Sequence, residues 1–107
     1  MKIIRNNIIP FPGFKCINLF GILFVRKNAN LDQVTITHEK IHTKQMKELL
    51  YIFFYFLYVF EFLVHFTKIK KWKKAYHEIS FEKEAYAYEE YPNYPEIRNH
   101  YYWFKYW

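Results

Sequence analysis

The segment from Thr35 to His42 contains an HExxH pattern, in which two histidines are four positions apart and a glutamate follows the first of them. If the segment is helical, His38 and His42 lie one turn apart on one face and can offer two imidazole nitrogens to a single Zn²⁺. Glu39 then lies beside the metal, where its carboxylate can take a proton from a zinc-bound water. The pattern therefore indicates metal-assisted hydrolysis, with Glu39 as the general base.

An HExxH pattern can also arise by chance. In shuffled chains with this content of His and Glu it occurs in roughly 2% of cases, so the rest of the chain has to decide its meaning. The alternative interpretation is an exposed helix on which two histidines happen to be four residues apart.

The composition is that of one small domain rich in aromatic residues. At 107 residues the chain is long enough for one hydrophobic core and too short for two. Aromatic residues make up 24% of it, and they supply large contact areas with little side-chain entropy. Cys16 is the only cysteine, which excludes an internal disulfide and a cysteine-based zinc cluster within one chain. We therefore expect a single domain spanning residues 1–107.

Positive charge is concentrated in one short segment. The net charge is +6, and five of the seven residues from Lys68 to Lys74 are lysines. Such a run suits anionic lipid headgroups or nucleic acid, and it is also common in solvated connections. We expect no nucleic-acid partner, because the basic residues are not interleaved with stacking residues across a face. Peripheral association with a membrane stays open.

The first residues do not predict a secretory signal. Met1 to Arg5 is positively charged, but the apolar stretch after it is interrupted by Asn6, Asn7, Pro10 and Pro12, and no small-residue cleavage site follows. We therefore expect a cytoplasmic protein, with the inner face of a membrane as the alternative location.

The first third of the chain predicts an irregular lead-in followed by strand structure. Residues 1–13 hold two of the four prolines and one of the two glycines, which favours an irregular segment. Phe14 to Arg26 is apolar with Gly21 as its interruption, which predicts a hairpin or a bent strand. That strand could cover the helices in the core, or its free edge could pair with an extended peptide in a cleft.

Gln33 to Phe66 contains no glycine or proline and predicts one long helix, or two helices with a bend, capped by Asp32 or Asn30. A partly polar stripe recurs along it at intervals of three and four residues, namely Glu48, Tyr51, Tyr55, Tyr58, Phe62 and His65. On an ideal continuous helix this stripe lies more than a quarter turn from the two histidines. We expect it to face a partner helix or a membrane interface.

The segment Leu49 to Phe66 is eighteen residues of mostly apolar sequence, long enough in principle to cross a bilayer. Glu61, His65 and three tyrosines offset the favourable insertion free energy of its apolar residues, so the net value is near zero. Three interpretations stay open: a buried core helix, a helix lying in a membrane interface and a true span. The adjacent lysine run favours the second over the third.

The remaining chain predicts two more helices and an aromatic tail. Ser80 is placed to cap a helix from Phe81 to about Glu90, and Pro95 is placed at the first position of a last short helix. The segment from His100 to Trp107 is almost wholly aromatic. We expect it to close the hydrophobic core, the alternative being an exposed interaction surface.

A second motif, Ser80-Phe81-Glu82-Lys83-Glu84-Ala85-Tyr86-Ala87, accompanies Thr37-His38-Glu39-Lys40-Ile41-His42. Together they resemble the gluzincin metallopeptidases, and most of all the very small bacterial proteins that reduce the gluzincin core to a strand region, an HExxH helix and a Glu helix. The resemblance covers residues 14 to about 90, and its specific content is these two motifs. It implies Zn²⁺ at His38, His42 and Glu82, with Glu39 as general base, and a peptidase fold. The leading functional hypothesis is a zinc-dependent hydrolase, a peptidase acting on an extended polypeptide.

The expected fold is therefore α+β and mostly helical. A short strand or hairpin packs on a long HExxH helix, a Glu-bearing helix and a short C-terminal helix. The functional alternative is a catalytically weak zinc-binding module that interacts with a protein partner or a membrane surface.

The chain departs from the gluzincin pattern in three places. Lys40 and Lys44 stand where uncharged residues are usual, and Tyr86 stands where Asp or Asn often orients a zinc-bound histidine. Glu89, Glu90 or the Tyr86 hydroxyl would have to do the orienting. Candidates for stabilising an oxyanion, from their chemistry alone, are Tyr86, His77 and Tyr101.

Helix geometry separates Glu82 from its neighbour Glu84. The two are two residues apart and point to nearly opposite sides of their helix, so only one can face the metal. Ala85 shares the Glu82 side and would allow close approach of the HExxH helix, whereas Glu84 shares its side with bulky Tyr88 and Tyr91. We therefore expect Glu84 to lie away from that helix.

Overall fold

The computed structural model describes residues 2–9 and 15–107, which form a three-stranded sheet, two helices of 16 and 18 residues, and several shorter helices. The strands are β1 (Lys2–Asn6), β2 (Cys16–Leu19) and β3 (Ile22–Arg26). The helices are α1 (Gln33–Glu48), α2 (Ile52–Ile69), α3 (Trp72–Glu78), α4 (Ser80–Tyr88), α5 (Tyr94–Ile97) and a 3-10 helix (Tyr102–Tyr106). The predicted α+β, mostly helical class is confirmed.

The predicted hairpin is β2 and β3, which pair antiparallel from Cys16↔Val25 to Leu19↔Ile22. Phe20 and Gly21 form the two-residue turn with φ of 54° and 88°, the left-handed conformation that matches the twist of paired strands. This turn fixes the register of the hairpin. The strand order in the sheet is β1-β3-β2, so β2 lies at one edge.

Residues 2–6 correct the prediction of an irregular lead-in. They form β1, which pairs parallel with β3 in the register Lys2↔Ile22 to Asn6↔Arg26. Parallel pairing is a contact between segments distant in sequence, so neighbouring prolines and glycines gave no sign of it. Of those prolines and glycines, Pro10, Pro12 and Gly13 lie outside the described residues, as does Phe14 at the start of the predicted hairpin.

The segment from Gln33 to Phe66, predicted as one long helix or two helices with a bend, forms two helices, α1 and α2. Asp32 caps α1 as predicted, because the Thr35 N–H donates to its Oδ1 over 2.8 Å. The chain then turns between α1 and α2 through Leu50 and Tyr51, with φ of 55° and 63°. These two left-handed residues end the α-helical hydrogen bonding and change the direction of the chain.

The bend overturns the expected orientation of the tyrosine stripe. On one continuous helix the stripe would point away from the histidines. Because α2 has a different axis from α1, that expectation does not apply. Tyr55 donates to the Asn18 carbonyl, and Tyr58 donates to Glu82. The stripe therefore faces the interior and the site, while the opposite side of α2 faces outward.

α2 is not a buried core helix. Phe54 and Glu61 are its only buried residues. By length and composition α2 could cross a membrane, and 11% of it is buried within the structure. Of the three interpretations of this segment, the interfacial helix and the span stay open.

A small aromatic core lies under α2 and α4, built from Met46, Phe54, Ile79, Phe81 and Trp103. Trp103 is 7% exposed and closes this core as predicted for the tail, but Phe104 and Trp107 are more than half exposed. α5 begins one residue earlier than predicted, at Tyr94.

The N-terminus of α4 is capped differently from the prediction. Ser80 is the first helical residue, and its N–H and Oγ donate to Glu61 of α2 over 2.9 and 2.6 Å. A carboxylate from another helix thus takes the place of a local serine cap, favourably placed at the positive end of the helix dipole. This contact ties α4, which carries Glu82, to α2.

Candidate metal centre

Three potential ligand atoms from two helices converge at one point. Nε2 of His38 and Nε2 of His42, on α1, each lie 3.1 Å from Oε1 of Glu82 on α4, and the two nitrogens are themselves 3.1 Å apart. All three side chains are buried. The structure therefore brings together the residues predicted to bind metal, as a buried group that could hold a metal ion.

The chemistry of these donors suits a transition metal. Two imidazoles and one carboxylate are the ligands of many catalytic zinc sites, whereas Mg²⁺ and Ca²⁺ prefer oxygen ligands alone. A tetrahedral ion with bonds of about 2.0–2.1 Å holds its ligands about 3.3 Å apart, close to the spacing seen. The same donors also suit Fe²⁺, so the residues define a metal site and leave its zinc identity as a proposal.

Gln45 fixes the orientation of His42. Its side-chain Nε2 donates to the Phe81 carbonyl and to Glu84, each over 3.0 Å, so its Oε1 is left as an acceptor. His42 Nδ1 lies 2.8 Å from this oxygen and donates to it, so Nε2 is the nitrogen that faces Glu82 and that can bind a metal once it gives up its proton. Gln45 was not predicted, although its position three residues after His42 on one helix face is a signal that could have identified it.

Glu89 does the same for His38. Its Oε1 lies 2.8 Å from His38 Nδ1, so the carboxylate accepts this N–H and leaves Nε2 for a metal. Of the three candidates for this role, Glu89 makes the contact. Tyr86 instead packs its ring against His38, with 4.6 Å between centroids, and Glu90 is exposed.

Replacing Glu89 by Ala is expected to weaken zinc binding roughly 10- to 100-fold, because His38 then loses the acceptor that sets its tautomer. The matched control is Glu90→Ala, which removes the same group from the adjacent exposed position. Zinc titration of the two variants and the wild type measures the difference. Equal affinities for the two variants would show that the Glu89 contact does not orient the ligand.

The charges at the centre favour an ionised Glu82. Burial disfavours the charged form of His42, but Glu82 outweighs it and raises the pKa of His42 to about 9. Burial likewise disfavours ionised Glu82, yet His42 and His38 hold the pKa of Glu82 well below its usual range. Glu82 is therefore a carboxylate at neutral pH, the form that binds metal.

Glu39 lies beside the centre in a cleft of about 770 Å³, lined also by His42, Glu82 and residues of β2, α2 and α3. Burial raises the pKa of the Glu39 carboxyl above its usual value, while His42 and His38 act in the opposite direction. A raised pKa suits a group that takes up a proton near neutral pH. The structure thus places Glu39 in the cleft next to the candidate ligands, and its role as general base stays a prediction.

Tyrosine hydroxyls from α2 and α3 surround Glu82. Tyr58 donates to Glu82 Oε2, which leaves Oε1 directed at the two imidazoles. Tyr76 lies close to Glu82 and Tyr86, and burial raises the pKa of Tyr58 and of Tyr76, so both keep their protons. Neither residue was predicted, because both reach the site from helices that share no local pattern with the two motifs.

The three oxyanion candidates divide between two places. Tyr86 and His77 are at the site, with ring centroids 4.7 Å apart, and Tyr86 also contacts His38. Tyr101 is not at the site, because its hydroxyl donates to the carbonyl of Glu48 at the end of α1. The suggestion of Tyr101 from chemistry alone was wrong, since nothing in the sequence located it.

Glu84 corrects the expected facing of α4. It is fully buried, and it accepts hydrogen bonds from Gln45 of α1, from Tyr94 and from Arg98. Helix geometry was right that Glu84 and Glu82 diverge, but a second partner, Arg98, holds the Glu84 side within the fold. Glu84 therefore contacts α1 through Gln45, and the expectation that it lies away from that helix was wrong.

Comparison of the chain with protein-family models, with curated proteins and with solved structures gives no match. The interpretation of this centre rests on its own residues.

Proposed function

We propose that this protein is a zinc-dependent hydrolase, a metallopeptidase that acts on an extended polypeptide. The observation that carries the proposal is the convergence of His38, His42 and Glu82 within hydrogen-bonding distance, with Glu39 beside them in an open cleft. A structural zinc site usually has four protein ligands, whereas three ligands and a cleft are typical of a catalytic one.

The residues of the chain divide the work. His38 and His42 would hold the metal through Nε2, and Glu82 would hold it through Oε1. Gln45 and Glu89 orient the two imidazoles for this role. Zinc, when bound, lowers the pKa of a coordinated water enough to supply hydroxide near neutrality. The Glu39 carboxylate accepts a proton from the attacking water and can return it to the leaving amine. The hydroxyls of Tyr76 and Tyr86 keep their protons and can donate to a developing oxyanion.

The cleft suits an extended peptide. β2 is the edge strand of the sheet and forms one wall, and Asn18 joins it to α1 by donating to the Glu39 carbonyl over 3.0 Å. An extended chain could pair with this edge at Cys16 and pass beside Glu39, since the Tyr55 hydroxyl already bonds the Asn18 carbonyl and the Phe20 N–H. Ile17, Leu19 and Trp72 also line the cleft, so apolar side chains of the substrate are favoured.

The proposal is tested by metal binding and peptide cleavage together. Purified protein is expected to bind one zinc ion per chain, to melt at a lower temperature in chelator, and to cleave a mixture of unstructured peptides only when metal is present. Glu82→Ala should weaken zinc binding by more than the roughly 100-fold upper range for an orienting partner. Glu90→Ala is the control. Wild-type affinity in Glu82→Ala would refute the ligand set.

The second candidate function is a catalytically weak zinc-binding module that engages a protein or membrane. The exposed apolar side of α2 favours it, since such a surface usually has a partner. Stoichiometric zinc with no peptide cleavage under any tested condition would select this candidate over the hydrolase.

A further inference from the structure

One side of α2 is a continuous apolar surface. Phe56, the most exposed of its members, is 69% exposed. The surface recurs at intervals of three and four residues along the helix, so its members share one face. We call it the α2 apolar face: Ile52, Phe53, Phe56, Val59, Phe60, Leu63 and Phe66. Single exposed apolar residues are ordinary, but a contiguous set of this length indicates an interaction surface.

The opposite side of α2 is held in place by polar contacts. Glu61 is buried and accepts two hydrogen bonds from Ser80, and Tyr58 donates to Glu82. The helix can neither rotate nor leave the domain without breaking these contacts. Crossing a bilayer would also carry Glu61 into hydrocarbon, which is costly for an ionisable group. The α2 apolar face therefore stays outward on an anchored helix.

Lysines flank the C-terminal end of this face. Lys68, Lys70, Lys71, Lys73 and Lys74 are all exposed, and across residues 2–9 and 15–107 no carboxylate forms an ion pair with them. Trp72, in the middle of the group, is 56% exposed, and the Lys73 Nζ lies 5.7 Å from its ring centroid. Tryptophan is enriched in protein segments that lie at a membrane–water interface, and lysines there face the anionic headgroups.

We propose that the α2 apolar face and these lysines dock the protein on an anionic lipid surface, with α2 lying in the plane of the interface. A lipid surface satisfies both parts of the site, since acyl chains cover the apolar residues and headgroup phosphates neutralise the lysines. A second copy of the chain could cover the apolar residues, but it carries the same net charge of +6 and leaves the lysines without counter-charge. This proposal does not depend on catalysis.

The test is flotation of the full-length protein with vesicles. Vesicles of phosphatidylglycerol and phosphatidylcholine are expected to carry the protein at low salt, vesicles of phosphatidylcholine alone much less. About 1 M salt should release it, because the Debye length falls to about 3 Å. Replacing Lys70 and Lys71 by Gln should weaken binding about fivefold for each lysine.

The apolar contribution is tested by Phe56→Ser with Phe60→Ser, which should weaken binding about tenfold or more. The matched control is the double variant Tyr91→Ser with Phe104→Ser. It replaces two aromatic residues of similar exposure outside α2, and it should bind vesicles as the wild type does. Four outcomes overturn the proposal: no binding to anionic vesicles at low salt, equal losses in both double variants, a dimer that Phe56→Ser dissociates in the absence of lipid, and salt-resistant insertion.

Discussion

Replacement of Glu39 by Gln is expected to abolish peptide hydrolysis while zinc stays bound. Glutamine has nearly the same size, and the ligand atoms of the centre come from His38, His42 and Glu82, so metal affinity should be within a few-fold of the wild type. The amide cannot take up the proton of the attacking water. Loss of a general base typically costs about 10² to 10⁴ in rate.

The measurement pairs zinc content with the rate of peptide cleavage in the same preparation. Lys40→Gln is the matched control, because it introduces the same side chain at the next position of α1 and should retain activity. Equal cleavage rates in the wild type and in Glu39→Gln would contradict the proposed mechanism. Loss of zinc from Glu39→Gln would instead assign Glu39 to the metal.

Replacement of Arg98 by Ala is expected to cost about 3–5 kcal/mol of folding stability, because it removes the guanidinium that pairs with two buried carboxylates and leaves only the exposed His100 beside Glu48. The guanidinium makes a two-pronged contact with Glu84, at 2.6 and 2.9 Å, and a further one with Glu48 at 2.8 Å. All three side chains are 5% exposed or less. The free energy of unfolding of a small domain is about 5–15 kcal/mol in total, so the variant should be largely unfolded or close to it.

Denaturant or thermal unfolding measures this effect in the metal-free and zinc-loaded protein. Lys83→Ala is the comparison, because Lys83 pairs with Glu78 at 2.8 Å on the surface, where such pairs contribute about 1 kcal/mol or less. Similar destabilisation by the two substitutions would show that the Arg98 contacts do not stabilise the fold. Arg98→Lys keeps the charge but loses the planar two-pronged contact, so it should fall between the two.

The local part of the fold was predictable from the sequence. Asp32 marks the start of α1, and Gly21 marks the hairpin turn, because capping and turn chemistry depend on neighbouring residues. His38, His42 and Glu82 were predictable as a group because the two motifs together resemble the gluzincin pattern; the local sequence alone places only the two histidines on one helix face. The structure adds that the two helices meet with these side chains facing one another.

The parts that could not be predicted depend on contacts between distant segments. β1 is a strand because β3 lies beside it, and the inward facing of Tyr58 follows from left-handed backbone at Leu50 and Tyr51. Leucine and tyrosine rarely adopt a positive φ, which is usual only for glycine, so the local sequence does not predict this turn. Arg98 has no motif at all, and its importance appears only when two carboxylates are found around it.

The contacts of Arg98 also determine when the metal centre can be completed during protein synthesis. Arg98 holds Glu84, Glu84 holds Gln45, and Gln45 holds His42 in the tautomer that binds metal. The ribosome releases His42 long before it releases Arg98, so α1 and its HExxH pattern emerge without the partner that completes the network. A nascent chain stopped before Arg98 would present two histidines and a loosely held Gln45. We therefore expect stable metal binding to come late in synthesis, after α5 has packed onto α1 and Arg98 has completed the network.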